Sequence, residues 1–168
     1  IVTGSGGNQG TYYAFTTAAG QVLSTDDYKF VVQATGGSPA NIAMIEDGEA
    51  QFAIVQNDVM INAYNGKSNF EGNTITSFSV IGAVYPEVCQ IIASKASGIE
   101  SIADLKGKRV SVGDAGSGVE FNAKQILEAY GIDMNDGIQK QNLGFGPSAD
   151  ALRDGKIDAF FCVAGIPT

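Results

Sequence analysis

The residues best suited to chemistry in this chain are glycines and small polar side chains at two turns. The first turn, GSGGNQGTYY, spans residues 4–13, and the second, GDAGSGVE, spans residues 113–120. Glycine lets the backbone approach a bound group closely, and the first N–H groups of a helix carry partial positive charge. The two turns are therefore predicted to bind a small anion through uncharged groups. Helix capping and tight packing alone also place Gly and Ser at such turns, so that alternative stays open.

Catalytic and cofactor-binding patterns fit these turns poorly. In the first turn, Gln9 stands where a dinucleotide fingerprint needs its third glycine. In the second, Val119 and Glu120 stand where a phosphate-binding P-loop needs Lys and Ser/Thr. The chain has no histidine, so a Ser-His-Asp arrangement would lack its base. These features predict a binding protein that uses no catalytic residue, no cofactor and no metal.

Composition narrows the class of partner. Ten basic against eighteen acidic residues give a formal net charge of −8, which argues against nucleic acid because phosphate backbones are bound by clustered Lys and Arg. No apolar run approaches the ~20 residues that span a bilayer, and no signal peptide opens the chain.

The chain stops at Pro167-Thr168, a pair that suits the start of a further helix, so we expect a truncated chain. The cysteines, Cys89 and Cys162, lie in apolar runs and are predicted to be buried thiols, with a disulfide as the alternative.

An internal repeat predicts the architecture. DGEAQFAIV at residues 47–55 returns as DGKIDAFFC at residues 154–162, an offset of 107 positions. Upstream of each copy come a strand, a Gly/Ser-rich turn and a helix, then a second strand and a Gly/Ser/Pro turn. Strands that alternate with helices in this way form parallel sheets with right-handed crossovers. The predicted fold class is α/β, with two βαβ lobes, 1–84 and 85–168, a cleft between them and a long crossing strand that bends at Pro86.

The predicted elements place polar turns at the carboxyl ends of the strands, where open α/β sheets bind ligands. In the first helix, Ala14, Ala18 and Val22 fit one face of the 3.6-residue period and are predicted to face the core. The predicted strands are 1–3, 29–34, 51–55, 77–97 with a break at Pro86, 109–112, 139–143 and 159–164. The predicted helices are 11–24, 38–47, 58–64, 102–105, 119–130 and 148–154. The turns expected to face the cleft are 4–11, 35–41, 56–58, 113–119, 144–148 and 164–168.

Several side chains outside the glycine turns are also candidates. Asp58 directly follows an apolar strand, and its alternative role is that of a helix N-cap. Tyr85 and Glu87 flank the proline of the crossing strand, where either can read an ammonium or amide group or simply form a polar bend. Of Tyr12 and Tyr13, one is expected to pack into the core and the other to line the cleft.

Several stretches taken together resemble the TAXI family, the substrate-binding subunits of tripartite ATP-independent periplasmic (TRAP) transporters. They are GSGGNQGTYYAF, TGGSPANIAMIEDGEAQFAIVQND, YPE, SGIESIADLKGKRVSVGDAGSGVEFNAKQIL and GKIDAFFCVAGIPT, which cover essentially the whole chain in order. The family's turns map onto Gly7, Gly10, Tyr12 and Tyr13, and onto Gly116, Ser117 and Gly118. The chain departs from the family pattern at Pro39 and Ala40, and at Val119, where a Thr is usual. The candidate ligand-binding residues are Gly7, Asn8, Tyr12, Tyr13, Thr35, Gly36, Ser38, Gln56, Asp58, Tyr85, Glu87, Ser117, Gly118, Val119, Ala164 and Gly165.

The resemblance implies a periplasmic-binding-protein-like, two-lobed receptor in the periplasm or another extracytoplasmic space. Its expected ligand is a small carboxylate or amino acid such as glutamate, glutamine or 2-oxoglutarate, which it delivers to TRAP membrane permease subunits. Family members are about twice as long, so a return segment of the second lobe is expected to be missing here. Two alternatives are an enzyme on the same scaffold and a surface antigen, an immunogenic protein without a small ligand.

Overall fold

The structure is a computed structural model, and it describes residues 1–166. The chain divides into two compact units, Ile1–Pro86 and Glu87–Ile166. Each unit alternates strands with helices around one sheet, so the predicted α/β class is confirmed. The main difference from the predicted elements is the long crossing strand over residues 77–97, which forms only in part.

The first unit is built on a small parallel sheet. Strand β1 (Val2–Gly4) pairs with β2 (Val31–Gln33) on one side and with β3 (Phe52–Ala53) on the other, both in parallel, and the sheet order is β2-β1-β3. A 3-10 helix, Ser68–Phe70, follows the last helix. In chain order the elements are β1 (Val2–Gly4), α1 (Thr11–Leu23), β2 (Val31–Gln33), α2 (Ser38–Glu46), β3 (Phe52–Ala53) and α3 (Asn57–Asn65).

The second unit repeats that order and adds one strand. Its elements are β4 (Val88–Ala93), β5 (Arg109–Ser111), α4 (Gly118–Ala129), β6 (Gln139–Gln141), α5 (Phe145–Arg153) and β7 (Ala159–Ala164), with 3-10 helices at Lys95–Ser97 and Ile102–Leu105. The sheet order is β4-β7-β5-β6. Strands β5, β6 and β7 are parallel, but β4 runs antiparallel to β7, so the prediction of wholly parallel sheets is wrong for this strand. The crossover rule does not fix the direction of β4 because no helix connects it to its neighbour in a βαβ unit.

The long crossing strand predicted over 77–97 forms only as β4, so that prediction is wrong for residues 77–87. A strand needs a neighbour to accept its backbone hydrogen bonds, and no strand among the described residues pairs with 77–87. Apolar side chains of this stretch lie in solvent instead, Val80 64% exposed and Ile81 84% exposed.

Helix α1 buries a different face from the predicted one. Ala14, Ala18 and Val22 are exposed, and the buried residues are Tyr12, Thr16 and Gly20. Both sets have helical spacing, so periodicity alone does not choose between them. Gly20 decides the packing, because a Cβ built there would lie only 3.4 Å from the Cβ of Phe30 on the way into β2. The helix therefore comes close to the sheet at its single glycine, Gly20.

The larger core belongs to the second unit. Helix α4 packs on β5 and β7, and Phe121, Phe161 and Leu127 are almost wholly buried. Helix α5 begins at Phe145, three residues before its predicted start, because Pro147 is tolerated in the first turn of a helix. The main cluster comprises Leu105, Val110, Val112, Val119, Ala123, Leu127, Ile132, Met134, Ile138, Ala159, Phe161 and Val163.

The two cysteines are free thiols, and only Cys162 is buried as predicted. Cys89 is exposed because β4 is the edge strand of its sheet. Antiparallel partners share a face, and Cys89 pairs with Val163 whereas Cys162 pairs with Gln90. The two thiols therefore point to opposite faces, an arrangement that does not suit a disulfide.

Candidate functional site

Helix α1 begins at the turn after β1, and no side chain of the described residues caps its N-terminus. Gly10 is the N-cap residue, and the first turn of the helix holds no acidic residue. The Gly10 N–H donates to Gly7 O at 2.8 Å, which closes the turn, and Gly7 and Asn8 are exposed. The partial positive charge at the start of this 13-residue helix is therefore not offset by a nearby carboxylate of its own first turn. Such a helix start favours an anion.

Behind this turn, the structure brings four predicted residues together. Tyr12 is buried, and its hydroxyl lies 3.5 Å from Ser38 Oγ at the start of α2. Ser38 Oγ also accepts the Gln56 N–H at 2.9 Å, at the residue before α3. The Tyr85 ring meets the Tyr12 ring edge-on, with centroids 6.3 Å apart. Tyr13 is half-buried, so Tyr12 takes the core-facing position of the pair.

The turn after β2 is held by internal hydrogen bonds. The Thr35 hydroxyl accepts the Gly37 N–H at 3.0 Å and lies 2.9 Å from Ser5 O and 2.7 Å from Asn41 Oδ1, to which it can donate. Gly36 is exposed beside it. Sequence reasoning missed Asn41, which is fully buried at the centre of this network. The signal was a polar residue inside a helix, among apolar neighbours, three positions after Ser38.

The turn before α4 contains its own carboxylate. Ser117 caps the helix, because its Oγ accepts the Glu120 N–H at 3.1 Å. In return, Glu120 Oε2 accepts the Gly116 N–H at 2.7 Å, and its other oxygen contacts Lys140 Nζ at 2.6 Å and Asn142 Nδ2 at 3.0 Å. Burial raises the pKa of Glu120, but the hydrogen bonds from Lys140, Gly116 and Asn142 outweigh it and hold the pKa below its usual value. The spacing Ser-x-x-Glu is that of a capping box and could have revealed this arrangement in the sequence, although Glu120 accepts the N–H of Gly116 and not that of the cap residue Ser117.

The other predicted residues of this turn are packed rather than open. Ser117, Gly118 and Val119 are all buried, and Val119 belongs to the main core cluster. Gly113 has φ +90°, and a Cβ there would lie 2.6 Å from the Cβ of Val119. Glycine at 113 is therefore required for packing as well as for the turn.

The remaining predicted residues lie at element ends. Asp58 is not an N-cap: Gln56 takes that position, and Asp58 Oδ1 accepts the Val59 N–H at 2.9 Å in the first turn of α3. Ala164 ends β7 opposite Val88, with buried Gly165 next to it. Glu87 is half-buried at the start of the second unit. Burial first, and the nearby Glu87 carboxylate second, raise the pKa of Cys162.

Two further features of the described residues concern metal binding and membrane spanning. Within residues 1–166, no group of three or more His, Cys, Asp or Glu side chains is arranged to hold a metal ion. In the same part of the chain, no helix has the length and apolar character needed to cross a membrane.

Comparison with known proteins gives a family and a fold. The model of the NMT1-like family matches residues 1–168. The alkanesulfonate-binding protein from Xanthomonas axonopodis pv. citri, bound to MOPS, is 18% identical over 95% of this chain and 53% of its own, with a TM-score of 0.61. An ancestral arginine-binding protein bound to arginine is 17% identical over 97% of this chain and 69% of its own, with a TM-score of 0.63. A substrate-binding protein of an ABC uptake transporter from Streptococcus pneumoniae, with bound histidine, is 14% identical over 97% of this chain and 65% of its own, with a TM-score of 0.62.

These similarities confirm the predicted periplasmic-binding-protein-like α/β fold. The chain spans about half the length of the alkanesulfonate-binding protein that it matches.

Proposed function

The chain belongs to the NMT1-like family, and we propose that it is the ligand-binding part of an extracytoplasmic solute receptor. The receptor binds a small carboxylate in the class of glutamate, glutamine and 2-oxoglutarate, without catalysis and without a cofactor. The fold supports a receptor, because its structural neighbours are named as binding proteins for an alkanesulfonate, arginine and histidine. Each of those ligands carries an acidic group.

The observation that carries the proposal is the uncapped start of α1. Its first turn has no acidic residue, Gly7 and Asn8 are exposed next to it, and Tyr12 anchors it to Ser38 behind the turn. A ligand carboxylate placed there would gain backbone N–H donors and the field of the helix. We assign the acidic group of the ligand to this turn of the first unit.

The second unit has a different part in this proposal. The sequence predicts that the turn at Gly116 binds an anion. The Gly116 N–H, however, already donates to Glu120. We therefore propose that Ser117, Gly118 and their neighbours contact the ligand away from its acidic group. It stays a prediction that both units hold one ligand. It also stays a prediction that Glu87, Ala164 and Gly165 contact that ligand.

The finer assignment follows the family resemblance of the sequence. We propose the TAXI subtype, a location in the periplasm and delivery of the ligand to TRAP membrane permease subunits. Neither nucleic acid nor a metal has a role in this account.

Native mass spectrometry and thermal unfolding test the proposal together. A native species with an added small mass, lost on denaturation, would identify a bound ligand class directly. For the chain freed of ligand, L-glutamate, L-glutamine and 2-oxoglutarate are compared with the diamide of glutamic acid, which has no carboxylate. We expect at least one acid to raise the Tm progressively, with the logarithm of its concentration once it saturates the site, and the diamide to have no effect. No stabilisation by any acid would contradict the proposal and favour the antigen alternative, and turnover of an acid would favour the enzyme.

A further inference from the structure

Asn41 lies where the three strands of the first unit end. Its side chain is fully buried, its Nδ2 donates to Ser5 O and, at 2.7 Å, to Ile54 O, and its Oδ1 accepts the Thr35 hydroxyl at 2.7 Å. Ser5 follows β1, Thr35 follows β2 and Ile54 follows β3. We propose that Asn41 is a positioning residue that holds these three turns at the spacing at which they bind the ligand. The ligand part of this inference rests on the proposed function.

The amide group of Asn41 is matched to its three partners. A side-chain amide offers two donors on nitrogen and an acceptor on oxygen, and both donors and the acceptor are used here. A buried carbonyl that loses its donor pays a desolvation cost. Replacement of Asn41 by an apolar residue would therefore leave Ser5 O and Ile54 O without this donor at two different turns. No apolar or hydroxyl side chain reaches both carbonyls and the Thr35 hydroxyl at once.

Glycine at position 4 makes room for this amide. A Cβ built on Gly4 would lie 2.8 Å from Asn41 Oδ1 and 3.2 Å from Asn41 Cγ. Gly4 is the last residue of β1, directly before the turn that carries the proposed anion site. The two residues, 37 positions apart in the sequence (4 and 41), therefore form one structural pair.

The second unit replaces this pair with two serines. Strand pairing aligns Gly4 with Ser111, because Gly4 lies opposite Gln33 and Ser111 lies opposite Gln141. The repeat offset aligns Asn41 with Ser148, which is equally buried. Ser148 Oγ lies 2.9 Å from Ser111 Oγ and donates to Leu143 O at 3.1 Å.

The serine pair connects fewer turns than Asn41 does. Its hydrogen bonds link the ends of β5 and β6, and none of them reaches the end of β7, which continues to Ala164. Only the first unit, in which we place the ligand carboxylate, thus ties all three strand ends to one side chain. This difference between otherwise repeated units is what a positioning role predicts.

Transplanting the serine pair into the first unit tests the inference. The variants are Gly4→Ser, Asn41→Ser and the double variant Gly4→Ser/Asn41→Ser, with Ser148→Ala in the second unit as the matched control. The readouts are the free energy of unfolding, amide hydrogen exchange at residues 5–7, 35–37 and 54–56, and the affinity for L-glutamate. Hydrogen exchange distinguishes a positioning role from a general contribution to stability, because a general loosening of the first unit would also speed exchange in the hydrogen bonds between β1 and β2.

We expect Gly4→Ser to destabilise the first unit and the double variant to recover most of that loss, since the smaller serine removes the clash. The double variant should nonetheless exchange at least about tenfold faster at the three turns, and bind L-glutamate at least about tenfold more weakly, with the β1–β2 ladder unchanged. Ser148→Ala should leave the first-unit turns and the affinity unaltered.

Wild-type exchange at the three turns in a folded double variant would overturn the inference, and so would faster exchange that is uniform through the first unit. Should the double variant fail to fold, Asn41→Asp removes the two donated bonds at almost constant volume, and wild-type exchange at residues 5–7 and 54–56 in that variant would also overturn it. If the wild-type chain does not bind L-glutamate, the proposed function loses support for that ligand while the exchange data still decide the role of Asn41.

Discussion

The turn after β1 and the turn after β5 occupy the same place in the repeat, yet their chemistry differs. In the first, glycines lead into a helix with no side-chain cap among the described residues and no acid in its first turn. In the second, Ser117 caps the helix, the Glu120 carboxylate accepts the Gly116 N–H, and Lys140 and Asn142 complete the contacts of the carboxylate. The first turn thus leaves its helix start without a carboxylate of its own, whereas the second holds one, Glu120.

Two glycines of the second turn, Gly113 and Gly116, serve different needs, and the largest expected effect tests this. Gly113→Ala adds a methyl group 2.6 Å from the Cβ of Val119 at a residue with φ +90°. We expect it to cost about 3 kcal/mol of unfolding free energy, from overpacking and backbone strain together. Gly116→Ala is the matched control, because φ there is +72° but a Cβ meets nothing within 4 Å, so only the strain of about 1 kcal/mol should be measured. Equal losses by urea denaturation would show that packing against Val119 does not matter.

A carboxylate introduced at the first turn should occupy the helix start there, as Glu120 occupies the second turn. A Cβ on Gly7 meets no described atom within 4 Å, so Gly7→Asp fits without strain. We expect it to weaken L-glutamate binding by roughly 2 kcal/mol, about thirtyfold, through repulsion and competition for the helix start. Gly7→Asn is the uncharged control and should keep the affinity within about threefold. Calorimetric titrations in which both variants bind like the wild type would remove the turn from the site.

The contacts of the Glu120 carboxylate should be measurable as a pH-dependent stability. Glu120→Gln keeps the shape of the side chain but loses its charge, and we expect a loss of about 1 kcal/mol at pH 7. Because folding lowers the pKa of Glu120, its contribution is fully present above the ordinary value of 4.5 and is lost as the pH falls through the lower folded value. The wild type and the variant should therefore converge in stability at low pH. Glu128→Gln removes only the exposed 3.9 Å contact with Lys124 and should cost less than about 0.5 kcal/mol at either pH.

The smallest expected effect concerns the thiols of the second unit. Although Cys89 as a residue is exposed, the surrounding chain desolvates its sulfur; this desolvation first, and the charge of Cys162 second, raise the pKa of Cys89 to about 11, so little thiolate is present at neutral pH. Alkylation of Cys89 by iodoacetamide at pH 7 should be slower than that of an unstructured peptide thiol and should accelerate up to about pH 11. Alkylation of the unfolded chain, without reductant, should modify both cysteines. A mass that shows an intact disulfide would contradict the strand register that separates them.

Local signals in the sequence predicted most of the fold. The Gly-rich turns, the Asp-Gly helix stops and the repeat placed β1, α1, α2, α4 and β7 close to where they lie. What failed depended on partners distant in the sequence. The predicted strand over 77–87 has no described strand beside it, and Gly20 selected the buried face of α1 by its fit to the sheet.

The candidate site was predictable in outline but not in its hydrogen bonds. Tyr12, Ser38 and Gln56 were named from their positions after strands, and the structure brings them together. Asn41 escaped because its role depends on three backbone groups that are far apart in the chain. Glu120 escaped because its capping-box spacing was read only as a mismatch to a P-loop.

The most direct test of the account is an NMR titration of the wild-type chain with L-glutamate and 2-oxoglutarate, following backbone amides of both turns. We predict that one of these acids shifts the amides of residues 6–13 in a saturable manner and leaves Gly116, whose N–H donates to Glu120, in place. Saturable shifts centred on residues 113–119, or no saturable shift with either acid, would contradict the assignment of the anion site to the first unit.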